Sequence, residues 1–199
     1  MPRPRCERCQ RPLAHCLCPL IPHLDSRTRV VVLQHPSETA HALNTARLAV
    51  LGLVNAELRI GEVFDDLHTL LATPGYRPAL LFPGDEDEVL QGYGQDVDLP
   101  LMLIVPDGTW RKARKMLYLN PLLEALPRVA LGNVPPSRYR LRKAPEPGAL
   151  STLEAVVQAL NVLEAPSGFA ALLRPFEALI EGQISAMGQE TFERNHGEK

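Results

Sequence analysis

The run Leu101-Met-Leu-Ile-Val105, followed at once by Pro106-Asp107-Gly108-Thr109-Trp110, constrains this chain most. Five consecutive apolar residues closed by a turn read as a strand buried on both faces. Such a strand needs other strands beside it and helices above and below. The rest of the sequence supplies them. Arg29–Gln34 is a β-branched run that stops at His35-Pro36, with Ser37 placed to cap a helix and Glu38 in its first turn. Leu43, Ala46, Val50, Leu53 and Val54 share one helical face. Residues 56–63 and 79–82 read as further strands, the second ending at Pro83-Gly84. Asp85–Glu88 reads as the acidic first turn of a helix rather than a Mg2+ site. A helix from Trp110 to Asn120 stops at Pro121, and residues 129–131 form another strand. Ser151 opens a helix with Leu153, Val156, Val157, Leu160 and Leu163 on one face. Phe169 to about Phe192 is a last helical segment, broken or started afresh at Pro175. Strands alternating with helices predict an α/β fold, a mostly parallel sheet with flanking helices. Ligands of such sheets bind beyond the carboxyl ends of the strands.

Composition narrows the class. The chain has 199 residues, 45% of them hydrophobic, which suits one domain plus a small appendage and excludes disorder. The longest apolar run, Leu99–Pro106, is too short for a membrane span. The opening MPRPRCERCQ has no apolar stretch behind it, so no secretory signal and a cytoplasmic location are expected. Lys plus Arg number 21 against 23 acidic residues, a balance that hides strong local asymmetry. Residues 101–150 hold nine basic and three acidic side chains, and residues 51–100 hold two basic and ten acidic. One basic face for an anionic partner fits this pattern, as does an unevenly charged surface.

All four cysteines lie in the first 18 residues: Cys6, Cys9, Cys16 and Cys18. Two close pairs can wrap a tetrahedral Zn2+, and four thiolates leave no open position for catalysis. The alternative is two disulfides, disfavoured where no secretory signal is expected. Residues 1–25 are therefore expected to form a zinc knuckle with a structural Zn2+, and residues 26–199 the main domain. His15 and His23 read as neighbours of the site rather than ligands.

Three motifs bear on chemistry. Asp107 at a strand end is placed for catalysis, and equally for capping the helix that follows, as is Thr109. That helix carries Arg111, Arg114, Lys115 and Tyr118 on one stripe, with Trp110, Ala113 and Leu117 on an apolar face. A carboxylate heading a basic stripe suits an enzyme acting on a polyanion. Ser137–Lys143 alternates as an extended segment, with Arg138, Arg140 and Arg142 on one face: phosphate contacts, or a charged edge strand. Ser151-Thr-Leu-Glu154 is a capping box, and its free N–H groups also suit a carboxylate ligand.

Taken in order, the cysteine pattern, Gln34-His35-Pro36-x-Glu38, Phe82-Pro83, Asp107-x-Thr109-Trp110, Ser137-x-Tyr139-x-x-Arg142 and Leu150-Ser151-Thr152-x-Glu154-Ala155 resemble the DTW-domain family of tRNA-uridine aminocarboxypropyltransferases. The resemblance runs to about residue 165, and the tail beyond Gly188 has no counterpart. It implies a SPOUT-like fold with a C-terminal knot and S-adenosylmethionine as donor. It also implies transfer of the 3-amino-3-carboxypropyl group to N3 of a tRNA uridine, at variable-loop position 47 in bacterial members, giving acp3U and methylthioadenosine. Asp107, Thr109 and Trp110 would be catalytic. Leu33, Gln34, Phe82, Pro83, Gly84, Val105, Pro106, Asp107 and Leu131 would form the adenosine side of the donor site. Leu150, Ser151, Thr152 and Glu154 would hold its amino-acid end. Arg111, Lys112, Arg114, Lys115, Arg138 and Arg142 would hold tRNA phosphates, aided by Arg3, Arg5, Arg8 and Arg11 of the knuckle. The rivals are a SPOUT-type RNA methyltransferase, a non-catalytic zinc-knuckle RNA-binding module and a zinc-stabilised interaction protein. No membrane and no obligate protein partner are expected, and the chain would be a monomer or homodimer.

Overall fold

The computed structural model describes residues 4–84, 88–93, 99–141 and 149–196. Six strands form one sheet: β1 (Arg29–Gln34), β2 (Ala56–Ile60), β3 (Arg77–Leu81), β4 (Glu88–Val89), β5 (Leu101–Asp107) and β6 (Arg128–Ala130). Their order is β2-β1-β5-β3-β6-β4, and every pairing is parallel. The apolar run of β5 is thus interior, as its composition requires. Seven α-helices accompany the sheet among the described residues: α1 (Ala46–Gly52), α2 (Leu67–Leu71), α3 (Trp110–Leu119), α4 (Pro121–Glu124), α5 (Thr152–Leu163), α6 (Leu173–Met187) and α7 (Gln189–His196).

Alternation along the strands divides the core in two. Val30, Val32, Leu103 and Val105 face a large cluster built with α1, α5 and α6, including Leu48, Leu160 and Phe176. Val31, Leu33, Met102 and Ile104 face a smaller one with Leu70 of α2, Leu117 of α3 and Leu123 of α4. The architecture is helices on both faces of a parallel sheet. The cysteine segment is tied to this body: Leu17 joins the larger cluster and Arg8 donates to the Leu51 carbonyl.

Three local expectations change. Ser37 does not open a helix. A single 3-10 turn, Pro36–Glu38, is capped by the His35 side chain, and α1 starts only at Ala46. Between them, His41 and Asn44 bond nearby backbone groups, which competes with helix formation. The helix expected from Asp85–Glu88 is replaced at Glu88 by the short strand β4, while 85–87 lie outside the described residues. Ser137–Leu141, the described part of the extended segment, forms no strand, because Ser137 and Arg138 bond the Glu154 carboxylate instead of a ladder. Arg142 and Lys143 lie outside the described residues. The last helical segment starts afresh close to Pro175, which sits in the first turn of α6, where its missing N–H costs nothing. A break follows at Gly188, whose φ of +87° suits glycine.

Candidate active site and metal centre

Parallel pairing places Gln34, the last residue of β1, directly beside Asp107, the last residue of β5. The Gln34 amide donates to Asp107 Oδ2 at 2.8 Å. Thr152, at the start of α5, donates its hydroxyl to Asp107 Oδ1. Thr109 takes the N-cap of α3, accepting from the Lys112 N–H. Thr109 is thus the N-cap residue, and Asp107 borders a cavity. Gly108 between them is closely packed: a Cβ there would lie 3.3 Å from Lys112 Cβ and 3.4 Å from His35 Cβ.

Two cavities meet at this turn. One, about 470 Å³, is polar and bounded by Glu38, His41, Asp107, Thr109, Tyr139 and Ser151. The other, about 130 Å³, is lined mostly by apolar side chains, among them Phe82, Val105, Pro106, Trp110, Leu150 and Ala155. Gly108 and Thr152 border both. Trp110 is no core anchor. It is 37% exposed and forms a wall of the smaller cavity, edge-on to Phe82 with centroids 5.3 Å apart. A wider groove of about 990 Å³ adjoins at Phe82 and Pro83 and runs past Gly84, Arg114 and Tyr118.

Several expected site residues act through others. Leu33 is wholly buried in the smaller core cluster. Leu131 packs against the larger cluster and borders neither cavity. Glu154 is buried, and its carboxylate accepts from Ser151 N and Oγ, Ser137 Oγ and the Arg138 N–H. It anchors the 137–138 loop and completes the capping box.

The basic helix divides. Lys112 pairs with Glu38 at 2.8 Å, and Lys115 with Glu62 at 2.9 Å. Glu62 also meets His35 Nε2, and these two partners hold its carboxyl below the usual value. Arg138 pairs with Glu177. Arg111 and Arg114 have no ion-pair partner among the described residues and are exposed. Tyr139, part of the Ser137–Arg142 motif, lines the polar cavity, whereas sequence reasoning missed Glu62, His41 and Asn44 as site-forming residues. No local pattern marks them, because distant segments bring them together.

The four cysteine Sγ atoms lie within 4.8 Å of one another. Cys6 and Cys18 are 3.6 Å apart, Cys9 and Cys16 3.8 Å. These gaps exceed a disulfide and match the edge of a Zn–S tetrahedron, about 3.8 Å for Zn–S near 2.3 Å. Backbone N–H groups of Cys9 and Arg8 push the Cys6 thiol down to about 6, while burial pushes Cys18 up to about 12. The donor set fits a closed zinc site.

Comparison with known proteins bears on this geometry. The family described as the DTW domain matches residues 3–184. A fruit-fly protein named tRNA-uridine aminocarboxypropyltransferase 2 is 35% identical over 193 residues, 92% of this chain and 76% of that one. A crab-eating macaque protein of the same name is 34% identical, covering 98% and 68%. An Arabidopsis protein named tRNA-uridine aminocarboxypropyltransferase A is 29% identical, covering 82% and 73%. No solved structure matches significantly.

Proposed function

The chain belongs to the DTW-domain family, and from this we propose that it is a tRNA-uridine aminocarboxypropyltransferase. The donor is S-adenosylmethionine, the acceptor N3 of a uridine, the variable-loop position 47 being our choice, and the products acp3U and methylthioadenosine. The observation that carries the reading is Asp107, fixed by Gln34 and Thr152 where a mostly apolar-lined cavity meets a polar one.

S-adenosylmethionine, when bound, supplies an arm activated by its sulfonium leaving group. The cavity of Phe82, Val105, Trp110 and Leu150 suits the adenosine end. The polar cavity, with Asp107, Ser151 and Thr152 on its wall, suits the amino-acid arm and the uracil. Asp107 takes the N3 proton, the N3 electron pair forms the N–C bond, and the C–S electrons return to sulfur. Thr109 holds the turn, and Trp110 closes the adenosine side. Zinc at Cys6, Cys9, Cys16 and Cys18 is structural. In this reading residues 1–25 form the knuckle and 26–199 the catalytic unit, with a SPOUT-like C-terminal knot. Arg111 and Arg114 meet tRNA phosphates directly. Lys112, Lys115 and Arg138 do so by exchanging carboxylate partners. No described helix is long and apolar enough to cross a membrane, and reduced thiols suit a cytoplasmic enzyme.

Asp107→Asn tests the mechanism. The account predicts loss of transfer with tRNA and donor affinities retained. Activity within a few-fold of wild type would remove the base assignment. A selective loss of donor affinity would make Asp107 a ligand of the arm.

A further inference from the structure

A third cavity, about 170 Å³, lies between the cysteine knuckle and the loop after β1. Three arginines line it, Arg5, Arg11 and Arg47, with two histidines, His15 and His41. No carboxylate is among its lining residues. Arg11 Nε is buried and has no hydrogen-bond partner. Arg47 has no ion pair among the described residues, although this chain pairs many of its other arginines. A half-buried guanidinium with an idle donor is costly until an oxyanion accepts from it.

The position says which oxyanion. His41 and Asn44 border both this cavity and the polar cavity that holds Asp107. An anion seated here adjoins the polar cavity that Asp107 lines. We infer that the gap between the knuckle and the 39–47 loop binds a backbone phosphate of the RNA substrate, with Arg11 and Arg47 as its principal donors. The inference rests on the proposed tRNA activity and gives the knuckle a second task. Besides folding around zinc, it closes one wall of a phosphate site that sets the register of the strand entering the cleft. The competing role for these arginines is to balance the charge of the zinc–thiolate cluster.

The test uses zinc-loaded full-length protein and unmodified tRNA transcript. Fluorescence anisotropy gives Kd across a salt series for wild type, Arg47→Gln, Arg11→Gln and Arg77→Gln. Arg77 opens β3 at the opposite end of the sheet and controls for loss of one charge. Each lost phosphate contact should flatten the slope of log Kd against log salt by about 0.7–0.9. Arg47→Gln should show this flattening with a roughly tenfold weaker Kd, while Arg77→Gln and the affinity for S-adenosylmethionine stay as in wild type. Zinc content is measured on every variant. Where Arg11→Gln loses zinc, Arg47→Gln carries the test. Unchanged Kd and slope in Arg47→Gln, with wild type binding tRNA, would overturn this site alone. No salt-dependent tRNA binding by wild type would overturn the functional reading as well.

Discussion

Gln34 and Asp107 end adjacent parallel strands in register, and the Gln34 amide holds Asp107 Oδ2 at 2.8 Å. Gln34 is wholly buried, and its own Oε1 has no partner. The Asp107 carboxylate fixes the sense of the amide, since a flip would set oxygen against it. Gln34→Met keeps the volume and removes the donor. We expect kcat to fall about 10- to 100-fold, as a misplaced reactive group does, with the KM for tRNA little changed. Steady-state kinetics read the split, and an equal rise in KM would make Gln34 a binding residue.

Glu154 is predicted to act through stability. Its carboxylate accepts from three residues, two of them in the 137–138 loop. Glu154→Ala leaves buried donors unpaired and should cost about 2–4 kcal/mol in thermal or urea unfolding. A melting temperature like wild type, with donor affinity lost, would show instead that Glu154 touches ligand.

Removing zinc should loosen the knuckle first. Its segment offers few apolar anchors, and Leu17 is one that reaches the main core. A chelator should speed amide exchange across residues 6–18 while β1 and β5 stay protected. Exchange that rises equally in β5 would show one cooperative unit that needs the metal.

Glu62 gives a pH signature. Lys115 and His35 depress its carboxyl, so its contribution to stability exists above the unfolded value of about 4.3 and is lost as pH falls through the lower folded value. The melting-temperature gap between wild type and Glu62→Gln should shrink below about pH 4 and in high salt, since the group is solvent-screened. A gap independent of pH would place its role in packing.

The free face of α3 should matter more to RNA than the paired one. Tyr118 is 83% exposed beside Arg114 in the wide groove. Tyr118→Ala should weaken tRNA binding while Tyr118→Trp preserves it, because aromatic stacking tolerates any base. Equal weakening by both would exclude stacking.

The fold class was legible because its signals are local. The β5 run could only be a two-sided strand, and Ser151 with Glu154 spelled the cap of α5. The failures share one cause, side chains supplying bonds from far away. Glu154 draws Ser137 and Arg138 off a strand, and His41 and Asn44 hold 39–45 out of a helix. In the site, Asp107 was legible as a carboxylate at a strand end. That Thr109 takes the N-cap was not, because both side chains can reach first-turn N–H groups and only geometry decides between them. The pairing of Lys112 and Lys115 was invisible for the same reason: Glu38 and Glu62 approach from the ends of other strands.

The central claim is the identity of the transferred group. Purified protein incubated with S-adenosylmethionine and unmodified tRNA should release methylthioadenosine, detected by mass spectrometry, only when tRNA is present. Release of S-adenosylhomocysteine instead would make the protein a methyltransferase and contradict the account.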